Sequence, residues 1–426
     1  MTTVRTMTDH DLRRALADLC EVRSDAEPIV TLYLDTSWTD EKQRERARVY
    51  VQDSVKVAVD RHAAHPQLAA LRRTLGRVAQ TAAERAAQPD GASRGLAVFA
   101  CEALALWRVV DVPRPFRNEL CVDGRPHLLQ LARLVDDVEP AVVAFAHTRG
   151  LHVYEVALGT IVNEATVEGA FTVRGRHASG SYHGQDAAPH GAPTPASGLF
   201  ERAAKNERHI EAMIDRARRE GAELLRSMAE RDPRAHVVLV GTGEVVAAFE
   251  RHLPERVRER VLARLPRPPG KESWRVNGQH RIVDEVVAKL AEHERKAEAE
   301  AVEHAIGEAL RGGHAVLGPE DVVLAVNEQR VQRLIVEEDF ERSGWRCRNC
   351  GALGMTHEEL CSFCRGPLAR VDALGEELVG RVLASDGEVE VVAHTNRLHS
   401  YRGVAALLRQ AKAKGLSGRE REAPRQ

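Results

Sequence analysis

Cys347-Arg348-Asn349-Cys350-Gly351 and, a short way on, Cys361-Ser362-Phe363-Cys364-Arg365-Gly366 form a C-x2-C…C-x2-C pair inside a stretch that otherwise alternates strand and helix patterns. Each half carries a glycine close behind its second cysteine, Gly351 and Gly366, and a glycine lets the backbone turn tightly so that its amides face the thiolates. This is how a tetrahedral zinc knuckle is built, so Cys347, Cys350, Cys361 and Cys364 are read as ligands of Zn2+. Four thiolates close the shell and leave no position for a catalytic water, and the metal is expected to be structural. The remaining cysteines, Cys20, Cys101 and Cys121, are scattered; the last two sit in or beside apolar runs, where cysteine behaves as a small hydrophobe. No disulfide framework, N-terminal apolar signal or bilayer-length apolar run is visible, so the expectation is a soluble, cytoplasmic chain without a membrane partner.

The length of 426 residues suits about three domains. A formal net charge of -2 gives no global drive toward nucleic acid, so any such binding must come from a local patch. Aromatics make up only 4%, which argues against an extended base-stacking platform.

Three segments separate along the chain. The first has an amphipathic helix from Asp11 to Cys20, a strand over Ile29–Leu34, helices over Glu41–Ala63 and Gln67–Ala87, a turn at Asp90-Gly91, and strands over Gly95–Ala100 and Ala103–Val109. The second opens on a hairpin, Ala141–Ala146 and Leu151–Leu158 about Arg149-Gly150, with a third strand near Ile161–Ala165. A Gly/His/Ser/Pro-rich loop over 175–198 follows, of a length that is usually functional or disordered, then a helix from Leu199 to Ala229 and a buried-type strand His236–Val240. Gly241-Thr242-Gly243 before the next helix could hold a phosphate, but lacks the dinucleotide fingerprint and the P-loop lysine and reads as a plain βα turn. Pro266-Arg267-Pro268-Pro269-Gly270 reads as a stiff linker. Beyond it come a charged helix over Ile282–Leu310, a break at Gly312-Gly313, a strand at Ala315–Leu317, a helix over Pro319–Asn327 and a strand over Val331–Val336. The cysteine pair follows, then a helix over Leu374–Ser385 and a strand over Val389–Ala393. The charged tail is expected to be disordered.

In order of parts the chain resembles the archaeal and eukaryotic class-1 peptide chain release factors and their relative Pelota, in a divergent bacterial branch. The residues that carry the resemblance are Gly95–Phe99 with Leu104–Val109, Pro113–Leu131, and Val316–Val322 leading to Val331–Val336. It runs from Thr31 to Ala393 and is specific in order but weak in identity. It implies an α/β (α+β) chain of three domains: an N-terminal release-factor-like α/β domain (1–138), an RNase H-like middle domain with the long loop (139–265), and an L7Ae-like α/β sandwich (271–412) carrying a zinc ribbon at 345–367, with a disordered tail at 413–426. In that family the first domain approaches the decoding centre, the middle domain reaches the peptidyl-transferase centre, and the third docks a translational GTPase.

The family's middle loop carries Gly-Gly-Gln, and Arg176-His177-Ala178-Ser179-Gly180-Ser181-Tyr182-His183-Gly184-Gln185 can be laid on it. Gly184 and Gln185 match its end, whereas His183 replaces the first glycine, and Pro189 to Pro195 lengthen the loop. By the resemblance, Gln185, Gly184 and His183 are the catalytic candidates for peptidyl-tRNA hydrolysis, in which a glutamine positions water against an ester carbonyl. A histidine is less free in backbone dihedrals than the glycine it replaces, though its ring could serve as a donor or base. Between Arg174 and Arg219 eight Lys or Arg face five acids, and four histidines add to them. Arg174, Arg176, His177, Arg202, Lys205, Arg208, His209 and Arg216 are therefore candidate RNA contacts, those on the helix lying near one face; a solvated face is the plain alternative.

The family's stop-codon element, Asn-Ile-Lys-Ser, has no counterpart between Thr36 and Ala64, so codon-independent occupation of the ribosomal A site is expected instead. Two readings follow. One is an enzyme, a rescue factor that releases the peptide through Gln185. The other is a Pelota-like or hibernation factor that fills the A site of idle ribosomes without chemistry. The partners implied are the ribosome, through rRNA and P-site tRNA, and a GTPase of elongation-factor type, with a monomer as the family's state.

Overall fold

The computed structural model describes residues 9–24, 26–87, 93–137, 139–147, 150–168, 197–266, 278–393 and 396–409. The turn expected at Asp90-Gly91, the loop core at 175–196 and the tail at 413–426 lie outside them. The chain forms two compact units, one of Val138–Glu292 and one that joins His10–Asp137 to the residues from His293 onward.

The second of these units begins with α1 (Asp9–Cys20), β1 (Ile29–Asp35), α2 (Glu41–Arg61), α3 (Leu68–Ala87), β2 (Gly95–Cys101), β3 (Leu106–Val112), β4 (Glu119–Asp123) and α4 (Leu129–Asp136). The strands make an antiparallel sheet in the order β3-β2-β1-β4, with Leu32 opposite Val98 on one side and Leu120 on the other. Helix α2 starts where it does because the Asp40 carboxylate accepts from the Gln43 amide at 2.8 Å, while the Gln43 side chain accepts from the Thr39 amide at 2.7 Å. Ala47 and Val51 of α2 and Leu71, Leu75 and Val78 of α3 then cover Val30, Leu32, Leu34, Leu96 and Val98. Each such fully buried leucine contributes about 2 kcal/mol. On the opposite face Tyr33 packs edge-on against Phe99, and its hydroxyl donates to the His127 carbonyl at 2.7 Å.

Two expectations for this region change. The strand read from Ala103 begins only at Leu106, because residues 102–105 form a turn in which Ala105 sits at φ 48°. Within Pro113–Leu131 the structure holds β4, a strand the pattern hid: all five of its residues are half-buried, so no alternation shows.

The unit of Val138–Glu292 contains β5 (Ala141–His147), β6 (Gly150–Ala157), β7 (Thr160–Glu168), α5 (Ser197–Ala229), β8 (His236–Gly241), α6 (Gly243–Glu250), α7 (Glu255–Arg258), β9 (Val261–Pro266) and the first part of α8 (Gly278–Leu310). Its mixed sheet has the order β7-β6-β5-β8-β9. The β5–β6 hairpin pairs Ala144 with Val153, and β8 lies parallel to β5 with Leu239 beside Ala144. Ala222, Leu225 and Met228 of α5 close one face; Val286 of α8 joins Val143, Tyr154 and Val238 on the other. The sequence put a linker at 266–270, yet Pro266 ends β9, parallel to Gly241 of β8. Proline fits there because β9 is an edge strand. Apolar Val283, Val286 and Leu290 tie the start of α8 to this sheet, whereas the sequence reading began a new segment ahead of that helix.

In the other unit the later part of α8 supplies Val302, Ala305 and Ile306 to a core with Ile335, Val392 and Ala405. There β10 (Ala315–Leu317), α9 (Pro319–Asn327), β11 (Val331–Glu337), α10 (Leu374–Ala384), β15 (Glu388–Val392), α11 (Asn396–His399) and β16 (Val404–Leu408) form the sandwich, with strand order β10-β16-β11-β15. The sequence reading stopped short of β16, which is nonetheless central. Between β11 and α10 sits a three-stranded ribbon, β12 (Gly344–Cys347), β13 (Leu353–Gly354) and β14 (Leu368–Val371), in the order β13-β12-β14.

Candidate metal centre and functional surfaces

The ribbon gathers the four predicted cysteines, whose sulfurs all lie within 4.8 Å of one another. Cys347 Sγ is 3.4 Å from Cys364 Sγ, and Cys350 Sγ is 3.6 Å from Cys361 Sγ. The two knuckles fold alike: the Gly351 amide donates to the Cys347 carbonyl at 3.0 Å and the Arg365 amide to the Cys361 carbonyl at 2.8 Å. Both closing residues take positive φ, 77° at Gly351 and 62° at Arg365. The second knuckle therefore uses Arg365, not the expected Gly366, for the turn; Gly366 is needed because a Cβ there would sit 2.6 Å from the Asn349 side chain.

The Cys350 amide, with that of Asn349, pulls the Cys347 thiol down to about 6, while the neighbouring sulfurs, Cys350 first, push the Cys364 thiol up to about 12. Four sulfurs this close cannot all be thiolates unless a cation shares their charge, so the donor set fits a metal ion. The ribbon is also tied to the sandwich: the Asn327 side chain donates to the Leu353 carbonyl and accepts from the Leu353 amide, each at 2.8 Å.

Of the loop candidates, Arg174, Arg176, His177, His183, Gly184 and Gln185 lie outside the described residues. Arg202 and Lys205 are on α5, which runs as a continuous helix through them. Arg208 and His209 are exposed on the same helix. Arg216, 81% exposed, is bonded to Glu220 at 2.8 Å, and Arg219 pairs with Asp215, so the far end of the basic track is partly neutralised by its own carboxylates. The Gly241-Thr242-Gly243 turn is accounted for by packing, since a Cβ on Gly241 would lie 2.8 Å from the Ala146 carbonyl oxygen.

A cluster the sequence reading missed surrounds His127, in the unit that contains the ribbon. Glu119 and Cys121, alternate residues of β4, face this buried imidazole, with Nδ1 3.5 Å from Glu119 and Nε2 3.5 Å from Asp123. Burial works against the imidazolium, but Asp123, Cys121, Glu119 and Glu376 outweigh it and hold the histidine well above its usual range. Burial alone would raise Glu119; its bonds to His127, Cys121 and Gln130 instead bring it down to about 2. Cys121 Sγ lies 3.1 Å from Glu119, so it is part of this polar group and not the small hydrophobe expected. Adjacent charges on strand β4 were the available signal.

Comparison with known proteins adds a family. Residues 126–275 match the family model for bacterial archaeo-eukaryotic release factor family 10. No curated protein matches the chain in sequence. Among solved structures, an archaeal translation termination factor, aRF1, is 16% identical, covering 95% of this chain and 99% of its own, at a TM-score of 0.25. Archaeoglobus fulgidus Pelota is 17% identical over 74% of this chain and 78% of its own, at a TM-score of 0.30. Dom34 of S. cerevisiae, described as a translation termination-like factor involved in RNA quality control and interacting with Hbs1, is 9% identical over 75% of this chain and 81% of its own, at 0.37. TM-scores this low leave the assignment to the family match. That match is confined to residues 126–275 and agrees there with the release-factor resemblance carried by the sequence.

Proposed function

We propose that this protein is a translation factor of ribosome rescue that enters the A site without reading a stop codon. The observation that carries the reading is the release-factor family match over residues 126–275, a segment that includes Gly184-Gln185, which can be laid on the end of the family's Gly-Gly-Gln. On this reading the basic track from Arg174 to Arg216 meets rRNA or tRNA phosphates, and Gln185 with Gly184 and His183 serves peptidyl-tRNA hydrolysis. The third segment, 271–412, is the L7Ae-like part that docks a GTPase of elongation-factor type, with a structural Zn2+ on Cys347, Cys350, Cys361 and Cys364. The protein works as a cytoplasmic monomer.

His183 in place of a glycine favours a second reading, a hibernation-type factor that occupies the A site without chemistry. Incubation with 70S ribosomes carrying peptidyl-tRNA in the P site and an empty A site separates the two. Release that disappears in Gln185→Ala supports the hydrolase, co-sedimentation without release supports occupancy alone, and failure to bind ends both.

A further inference from the structure

Strand β4 turns Glu119 and Cys121, two residues apart, to one side, and the chain that leaves it brings His127 to the same point. Their carboxylate, thiol and imidazole donors all lie within 4.8 Å of one another: Cys121 Sγ is 3.1 Å from Glu119, and His127 Nδ1 is 3.5 Å from Glu119 Oε1. Donors on a tetrahedral Zn2+, with bonds of about 2.0–2.3 Å, stand roughly 3.3–3.8 Å apart, so this spacing suits a single ion with little movement. The imidazole is fixed in place yet left without a hydrogen bond. Its side chain is only 8% exposed, the His127 amide donates to Thr31 Oγ1 at 3.1 Å and the His127 carbonyl accepts from the Tyr33 hydroxyl, but neither ring nitrogen has a hydrogen-bond partner among the described residues. The carboxylates 3.5 Å away are too far for one, and a ring buried in this state is costly unless something meets it.

Outer bonds aim the donors. Gln130 Nε2 donates to Glu119 Oε2 at 2.5 Å, which leaves Oε1 to face Nδ1; the amides of Leu128 and Leu129 hold Glu376 Oε2, which leaves its Oε1 3.9 Å from Nδ1. Across the ring Asp123 Oδ2 stands 3.5 Å from Nε2, where a carboxylate keeps the proton on that nitrogen and frees Nδ1, as is usual behind a metal-bound histidine. Among the neighbouring arginines, Arg117 meets Glu119 at Oε2, 4.0 Å away, and Arg346 is bonded to Glu377 at 2.7 Å. A cavity of about 1000 Å3, lined by Glu119, Cys121, His127 and Glu376, gives an ion a way in.

We propose that Glu119 Oε1, Cys121 Sγ and His127 Nδ1 bind a divalent transition-metal ion, Zn2+ by this mixture of oxygen, sulfur and nitrogen donors, at a site separate from the ribbon cysteines, with Glu376 Oε1 nearest the fourth position. Binding sends the Cys121 thiol proton, and any proton on Nδ1, to solvent. Without the ion, a protonated His127 held by the same carboxylates is the competing state. The site ties β4 and the loop after it to α10, and it does not depend on peptidyl-tRNA hydrolysis.

The test loads the full-length protein with Zn2+ and, separately, with Cd2+, removes free ion and counts bound metal by mass spectrometry. Cys121→Ser and Glu119→Gln are each expected to hold one equivalent fewer than the unaltered chain. Cadmium NMR reads the donors without any variant, because each added thiolate moves the metal resonance strongly downfield. A resonance in the one-sulfur range, apart from that of a four-sulfur ribbon, is expected in the unaltered protein and lost in Cys121→Ser; if the variants fail to fold, the spectrum of the unaltered protein decides. Absence of the one-sulfur resonance from the unaltered protein, its persistence in Cys121→Ser, or a metal count that neither substitution lowers would overturn the site.

Discussion

The Glu376 carboxylate accepts hydrogen bonds from the backbone amides of Leu128, at 2.5 Å, and Leu129, at 3.0 Å. Helix α4 has no side-chain cap of its own, since its N-cap position is Leu128, and so a residue of α10 caps it from far along the chain. A carboxylate there both satisfies amides the helix leaves open and complements its dipole. Glu376→Ala should cost about 1–2 kcal/mol in urea denaturation, and Glu376→Gln, which keeps an acceptor, distinctly less. Equal losses in the two variants would mean that the bond is not what stabilises this contact.

Asp136, at the end of α4, accepts from the Val391 amide at 3.0 Å, and burial lifts its carboxyl to about 7, with Glu390, Asp137 and Glu298 adding to the rise. Because the folded value lies above the ordinary 3.8, the folded state holds a proton the unfolded chain has released. The stabilisation is complete below about pH 4 and is lost as pH rises through about 7. Asp136→Asn should remove this group's slope between those limits and stabilise the protein above pH 7 by up to a few kcal/mol, since one pKa unit is about 1.4 kcal/mol. Thermal unfolding of both proteins across that range would show it; parallel curves would refute it.

Arg365 holds the second knuckle with φ at 62°, a conformation costly for a residue with a side chain. Arg365→Gly is expected to raise ribbon stability by about 0.5–1 kcal/mol, and Gly351→Ala, at φ 77°, to lower it by about 1–2 kcal/mol. Resistance of the bound metal to a chelator gives the ranking directly.

On α5, Arg208 makes no ion pair among the described residues, whereas Arg216 is engaged by Glu220. If this helix meets phosphates, Arg208→Ala should weaken ribosome binding more than Arg216→Ala and reduce its salt dependence by about one unit of slope. Identical binding in both variants and the unaltered protein would place the contact elsewhere.

What could be read in the sequence was what is local. The four cysteines reveal themselves by spacing, β1 and β5 by continuous apolar runs, and α5 by its length. Strand β4 stayed hidden because its residues are all half-buried, and β9 because a proline seemed to forbid it. Strand β16, Val404–Leu408, was overlooked beside a charged tail although it is paired on both sides. The His127 group joins residues 119–127 to Glu376, and no window along the sequence contains it. The knuckle turn was misplaced by one residue because glycine preference pointed to Gly366, while the fold uses that glycine for close approach and lets an arginine bend.

The Asn327 amide, bonded to both backbone groups of Leu353, has a consequence for solubility. Strand β13 is the outer strand of its three-stranded sheet, and an outer strand ordinarily offers unpaired amides and carbonyls to any passing chain. Here a side chain from α9 stands where the next strand would pair, so the β13 edge of the ribbon is covered and offers no template for strand-by-strand growth on that side.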